Sequence, residues 1–164
     1  MLNQPSVAER IAFGHAIDPA DDVTTHVAPR PTWMLLARLL IAPIFLFNGF
    51  LKLTATSTIA GYMDAQGIPS AYALAIISGL AEVVGGLAIL FGFLTRIGAL
   101  GLMIYLIPVT FIFHSFWTME GTEAQLQMGN FLKNLAVMGG LALLVANGAG
   151  RYSIDARLRR PIEA

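Results

Sequence analysis

The sequence predicts an all-α integral membrane protein, a bundle of four transmembrane helices with both termini cytoplasmic. Three observations predict it. Hydrophobic residues make up 56% of the 164 residues and charged ones only 12%, where an ordinary soluble domain carries about 25% charged residues; mean hydropathy is +0.69. Four long stretches are apolar almost all round, which a surface helix of a soluble bundle would not be. Finally, Lys and Arg cluster on alternate connections, the signature of a fixed membrane orientation.

Residues 1–31 hold Asp18, Pro19, Asp21, Asp22, Pro29 and Pro31 and no apolar run resembling a signal-peptide core. They read as a largely disordered cytoplasmic tail with no cleaved signal. Ser6 and Glu9 have capping-box spacing, which allows a short helix over residues 7–13. The transmembrane domain follows over residues 32–150, with helices at about 33–53, 71–92, 97–116 and 126–146. Each is roughly 20 residues, enough to cross about 30 Å of hydrocarbon. Residues 151–164 form a basic cytoplasmic tail with Arg151, Arg157, Arg159 and Arg160.

Orientation follows from the connections. Arg10 and Arg30 precede the first helix, Arg96 lies between the second and third, and the arginine-rich tail follows the fourth. The other two connections carry Asp64, Glu120 and Glu123, so they are expected to face outward. Trp33 and Trp117 fall at helix ends, where amphipathic rings favour the headgroup level. Pro43 and Pro108 lie inside spans and predict kinks. Small residues stripe the later helices: Ser78, Gly79, Ala81, Gly85 and Gly86; Gly98, Ala99 and Gly101; Gly139 and Gly140. Such residues let helix backbones approach. They predict contact faces within one bundle, with a homo-oligomer as the sharper alternative.

Composition removes several chemistries. There is no cysteine, hence no disulfide, thiolate nucleophile, iron–sulfur cluster or c-type haem. Net charge is zero, so no global field favours nucleic acid. No flavin or nucleotide fingerprint and no metal-ligand set is present. A bis-histidine haem would need His114 from two subunits, because His15 and His26 lie in the tail.

Function is expected at the ionisable groups within the spans, which are rare and usually face a bundle interior. They are Arg38, Lys52, Glu82, His114 and Lys133, with Asn48, Asn130 and Asn134 nearby. At about 1.5 Å per residue, all but Arg38 and mid-span Glu82 fall in the outer half. At about 100° per residue, Arg38, Asn48 and Lys52 share one face of the first helix within roughly 80°. Lys133, Gly140 and Asn147 share one on the fourth, Glu82 shares one with the small residues of the second, and His114 shares one with Thr110. Four such stripes can meet around a common interior. Structural alternatives stand beside this reading. Arg38, Lys52 and Lys133 have stems that reach headgroups, and His114 can be a hydrogen-bonded structural residue. A carboxylate at mid-membrane is neutral or paired, so Glu82 can form a purely structural bridge to Arg38 or Lys133.

At these residues the chain resembles the DoxX family of small prokaryotic membrane proteins. The resemblance rests on Arg38 with Gly49-Phe50-Leu51-Lys52, on Gly79-Leu80-Ala81-Glu82-Val83-Val84-Gly85-Gly86, and on the turn Gly92-Phe93-Leu94-Thr95-Arg96. His114, Lys133-Asn134 and the ending Gly150-Arg151-Tyr152-Ser153-Ile154-Asp155 also fall where that family has comparable residues, so the match covers about residues 33–156. It implies a four-helix protein of the bacterial inner membrane, in a family often labelled as oxidoreductase subunits and named for a subunit linked to thiosulfate and quinone oxidation.

The expectation is therefore a redox-associated subunit that binds a quinone or a small oxidisable molecule in the outer half of the membrane. Glu82, His114 and Lys133 are the candidate catalytic residues, as proton carrier, donor and electrostatic stabiliser. Arg38, Asn48, Lys52 and Asn134 are the candidate substrate-binding residues. With no electron carrier in the chain, a redox partner protein is expected to supply electrons. The alternatives are a small anion transporter, suggested by Lys52, His114 and Lys133, and a scaffold whose basic tail holds lipid or a partner.

Overall fold

The computed structural model describes residues 31–158; the expected N-terminal tail and its short helix lie outside them. Four helices are long and apolar enough to cross a membrane, over Pro31–Thr54, Ala71–Phe91, Thr95–Thr118 and Gly121–Asn147. In chain order the α-helices are α1 (Pro31–Thr54), α2 (Thr56–Ala65), α3 (Ala71–Phe91), α4 (Thr95–Phe113), α5 (Gly121–Asn147) and α6 (Ile154–Leu158), with a 3-10 turn at Phe116–Thr118 before α5. Among the described residues there is no strand. Large side chains such as Leu40, Phe47, Phe50, Val84, Ile97 and Leu143 are exposed, as lipid-facing surface requires.

Two ends can be distinguished. The basal end gathers the start of α1, the α3–α4 turn and the segment after α5. The distal end gathers α2, the start of α3 and the α4–α5 connection. Glycines set the approach of α1 to α3. A Cβ on Gly49 would stand 2.7 Å from the Gly79 carbonyl oxygen and 2.8 Å from Val83, and one on Gly86 would stand 2.9 Å from Leu46. The α3–α4 contact repeats the device, with Gly85 against Leu102. Most of the expected small stripe is thus consumed inside the chain. Gly101, Gly129 and Gly139 instead face open space.

Arg38 organises the basal end. Although charged, it is only 2% exposed. Its Nε donates to the Ile89 carbonyl (2.8 Å) and its Nη2 to that of Leu90 (2.7 Å). Its Nη1 donates to the carbonyls of Ala149 (3.0 Å) and Tyr152 (2.7 Å). The first two belong to the last turn of α3, whose carbonyls have no partner within the helix and favour a cation. The guanidinium therefore caps α3 and binds the returning chain to it. Gly92 makes room: its φ is +68°, and a Cβ there would collide with Ser153 and stand 2.9 Å from the Arg38 guanidinium carbon. Asp155 adds a second tie, accepting the N–H groups of Leu94 (2.8 Å) and Thr95 (3.1 Å) at the start of α4. The first part of the expected basic tail is accordingly built into the bundle.

The distal end contains an element not expected from the sequence. The chain bends at Ala55 and resumes as α2. Ala55 still donates to the Leu51 carbonyl (2.9 Å), and the Thr56 hydroxyl donates to that of Lys52 (2.9 Å). Helix α2 is closed off just beyond its end by Gly67, φ +73°, whose N–H donates to Asp64 (2.8 Å) while that of Ile68 donates to Met63 (3.2 Å). Its apolar face, through Ala60 and Met63, packs on Ala71 and Ala75. The main core lies toward the base and includes Ala42, Phe45, Ile89, Leu102, Leu106, Leu141 and Leu144.

Candidate functional site

A cavity of about 310 Å³ separates the two apolar clusters. Phe45, Leu106, Ile44 and Val137 bound it on the basal side, and Ile59, Met63 and Phe113 on the distal side. Helix α2 roofs it, with Tyr62 stacked on Phe113 at 5.6 Å between ring centroids. Toward the base α1 and α5 close together, where Ile41 would lie 2.8 Å from a Cβ on Gly140. Toward the distal end they part, and Asn48 and Lys52 of α1 face Asn130, Lys133 and Asn134 of α5 across the cavity.

Lys52, Glu82 and Tyr105 form its polar wall. Lys52 Nζ donates to Glu82 Oε1 (2.7 Å) and to the Tyr105 hydroxyl (2.6 Å) and lies 5.3 Å from the Tyr105 ring centroid. The glycine register creates this contact. Gly49 sits beside Gly79, Glu82 and Val83, while Lys52 Cβ lies beside Gly79. The lysine thus leaves α1 about one turn distal to Glu82, and its stem bends inward to reach it. Glu82 is 4% exposed. Its second oxygen, Oε2, is buried, and among the described residues no hydrogen bond to it is recorded; a buried acceptor left unsatisfied costs about 1–3 kcal/mol.

His114 lies across the cavity. It is the residue at which α4 ends, so its ring is free to turn toward α5. Its Nδ1 is 2.8 Å from Gln127 Oε1, and Gln127 Nε2 donates to Glu123 Oε1 (2.8 Å). With the Gln127 amide oriented by Glu123, its oxygen can only accept. His114 Nδ1 must therefore carry a proton, which leaves Nε2 as an acceptor in the neutral ring. This tautomer is inferred from the network. Asn134 is buried and donates to Thr110 Oγ1 (3.1 Å), which in turn donates to the Leu106 carbonyl (2.6 Å). Asn48 donates to its own helix at Ile44 (2.8 Å). Lys133 is exposed and donates to Asn130 Oδ1 (3.0 Å). The charged lining residues are Lys52, Lys133 and Glu82, so one positive charge is in excess with His114 neutral.

Six of the seven residues singled out from the sequence, namely Glu82, His114, Lys133, Asn48, Lys52 and Asn134, line this one cavity. Arg38 does not; it lies at the basal end, about 20 Å along α1 from Lys52, with its donors committed to four carbonyls. The cation that meets Glu82 is Lys52, not Arg38 or Lys133. Tyr105 was not anticipated. Its only signal is a lone phenol in an otherwise apolar span, one turn and a half before Thr110. Among the described residues no cluster of three His, Asp or Glu side chains forms, so a cavity ligand would meet hydrogen-bonding groups and one ion pair.

Comparison with known proteins agrees with this architecture. The family model DoxX matches residues 33–115, which carry Lys52, Glu82, Tyr105 and His114. Inner membrane protein YqjF of Escherichia coli (strain K12) is 40% identical over 127 residues, covering 77% of this chain and 92% of the relative. Inner membrane protein YphA of the same organism is 35% identical over 130 residues, covering 79% and 93%. The membrane protein Rv3486 of Mycobacterium tuberculosis is 30% identical over 148 residues, covering 81% and 85%. No solved structure matches. With four membrane-spanning helices and relatives of this kind, the protein is a multi-pass inner-membrane protein, and it belongs to the DoxX family.

Proposed function

We propose that the chain is a redox-associated membrane subunit that holds a quinone or a similar small oxidisable ring in the distal cavity. The observation that carries this reading is the pairing of a donor wall, Lys52 and Tyr105 beside Glu82, with an opposed acceptor, His114 Nε2, in an otherwise apolar chamber. A planar carbonyl-bearing ring wants apolar faces, a donor at a carbonyl oxygen and a proton acceptor at a hydroxyl. Phe45, Leu106, Met63 and Phe113 supply the faces. A quinone, when bound, supplies redox chemistry whose electrons a partner protein would carry. Lys52 and Tyr105 orient the oxygen, Lys133 adds positive potential at the rim, and His114 takes up a proton at Nε2 while Gln127 holds the ring. The unsatisfied Glu82 Oε2 supports a site that waits for a further donor. The arginines of the basal end support a cytoplasmic base and a distal cavity open to the outer leaflet.

Gentle detergent purification, solvent extraction and mass spectrometry test the reading. Stoichiometric quinone with the wild-type chain, lost in Glu82→Gln and His114→Ala variants that still fold, is the expected result. A preparation with phospholipid alone, and no thermal shift with a short-chain benzoquinone, would reject it. The excess positive charge at Lys133 favours a second reading, an anion permeation unit, which predicts anion flux in liposomes that Lys133→Gln abolishes.

A further inference from the structure

A second cleft, of about 400 Å³, lies at the basal end. Its walls include Pro31 and Met34 of α1, Arg96 at the start of α4, and Ala149 and Arg151 in the segment leaving α5. Arg96 Nη2 donates to the Ala146 carbonyl (3.1 Å), and its Nε stands 3.4 Å from where a Cβ on Gly148 would be. The guanidinium is thus held along the cleft wall. Arg151 is exposed. Among the described residues neither arginine is paired with a carboxylate. Asp155 also lines the cleft, but its carboxylate is turned to the N–H groups of Leu94 and Thr95.

We propose that this cleft binds the phosphate of an anionic phospholipid. Two guanidiniums without a carboxylate partner present forked donors matched to phosphate oxygens. The apolar floor of Pro31 and Met34 suits the glycerol and first acyl carbons rather than a fully hydrated ion. The position at the end of the spans is the depth of headgroups, where basic pockets between transmembrane helices hold anionic lipid. Arg38, also at this end, is excluded because it is buried and four of its five N–H donors go to carbonyls. The site is independent of the distal cavity. Its occupant would brace the α4 start against the segment after α5.

Native mass spectrometry of the full chain, titrated with phosphatidylglycerol and with phosphatidylcholine of the same acyl chains, tests this. Phosphatidylglycerol is expected to bind more tightly and to resist displacement by millimolar inorganic phosphate. Arg151→Gln, a variant of an exposed side chain that leaves the protein contacts intact, should weaken it roughly fivefold, and Arg96→Gln with Arg151→Gln more than either alone. Arg157→Gln, outside the cleft, should leave it unchanged. Equal binding of both lipids, or an equal loss with Arg157→Gln, would show diffuse charge attraction and overturn the proposal. Displacement by inorganic phosphate would assign the cleft to a soluble anion instead.

Discussion

Lys52 Nζ lies 2.7 Å from Glu82 Oε1, joining α1 to α3 inside the membrane span. Taking either charge from water is costly, and the mutual attraction of the two offsets that cost only while both are present. Loss of one partner is therefore worse than loss of both. Lys52→Met should destabilise the protein by about 3–5 kcal/mol, because it leaves the buried Glu82 carboxyl without its main donor. Glu82→Gln should cost less, since Lys52 retains Tyr105 and meets an amide oxygen. The double variant Lys52→Met with Glu82→Leu should recover most of the loss while abolishing ligand binding. Thermal melts in detergent check this order; wild-type melting of Lys52→Met would show that the pair contributes little.

Arg38 should separate stability from function. Arg38→Met strips a donor from four buried or part-buried carbonyls, of Ile89, Leu90, Ala149 and Tyr152, of which Ile89 keeps the Gly92 N–H. At about 1–3 kcal/mol for each group left unsatisfied, partly relieved by water at the bundle end, a loss of several kcal/mol is expected. Variants that survive should bind a cavity ligand with unchanged affinity. An affinity loss without a stability loss would return Arg38 to the binding site.

The glycine register gives a third expectation. Gly49→Ala places a methyl 2.7 Å from the Gly79 carbonyl oxygen, a backbone atom that cannot rotate away. It must push α1 from α3 and break the alignment of Lys52 with Glu82. Gly139→Ala meets open space and should be neutral or raise stability by up to about 1 kcal/mol through helix propensity. Equal effects of the two substitutions on melting would disprove the close α1–α3 approach as the device that positions the pair.

These residues also show what a sequence can disclose. Hydropathy and length located the four spans, because lipid demands nearly uniform apolar surface and a fixed length. Rarity of polar and ionisable groups inside the spans located six cavity residues, because such groups usually face the interior. The partner of Glu82 was not legible. Depth along α1 put Lys52 near the outer surface, and only the close approach of α1 to α3 at Gly49 and Gly79 brings its stem inward to Glu82, with the short helix α2 roofing the cavity. Tyr105 was hidden for a related reason, since a phenol in a span reads equally as lipid-facing or interior. Arg38 shares a helical face with Lys52, so periodicity could not tell a capping arginine from a binding one. The distinction lies in carbonyls that only the fold brings to it.

The last expectation concerns His114. Its Nδ1 proton is directed to Gln127, which is oriented by Glu123. Gln127→Leu removes that acceptor and frees the ring to rotate or change tautomer. One hydrogen bond of this kind is worth about 1 kcal/mol, so affinity for a cavity ligand should fall roughly fivefold with little change in melting, the site being close to the water boundary. Glu123→Gln should have a smaller effect of the same sign, because an amide oxygen still receives the Gln127 N–H. His114→Ala removes the Nε2 acceptor itself and should abolish binding. A Gln127→Leu protein that binds as the wild type does would mean that the ring needs no fixed tautomer. The donor wall of Lys52 and Tyr105 would then hold the ligand unaided.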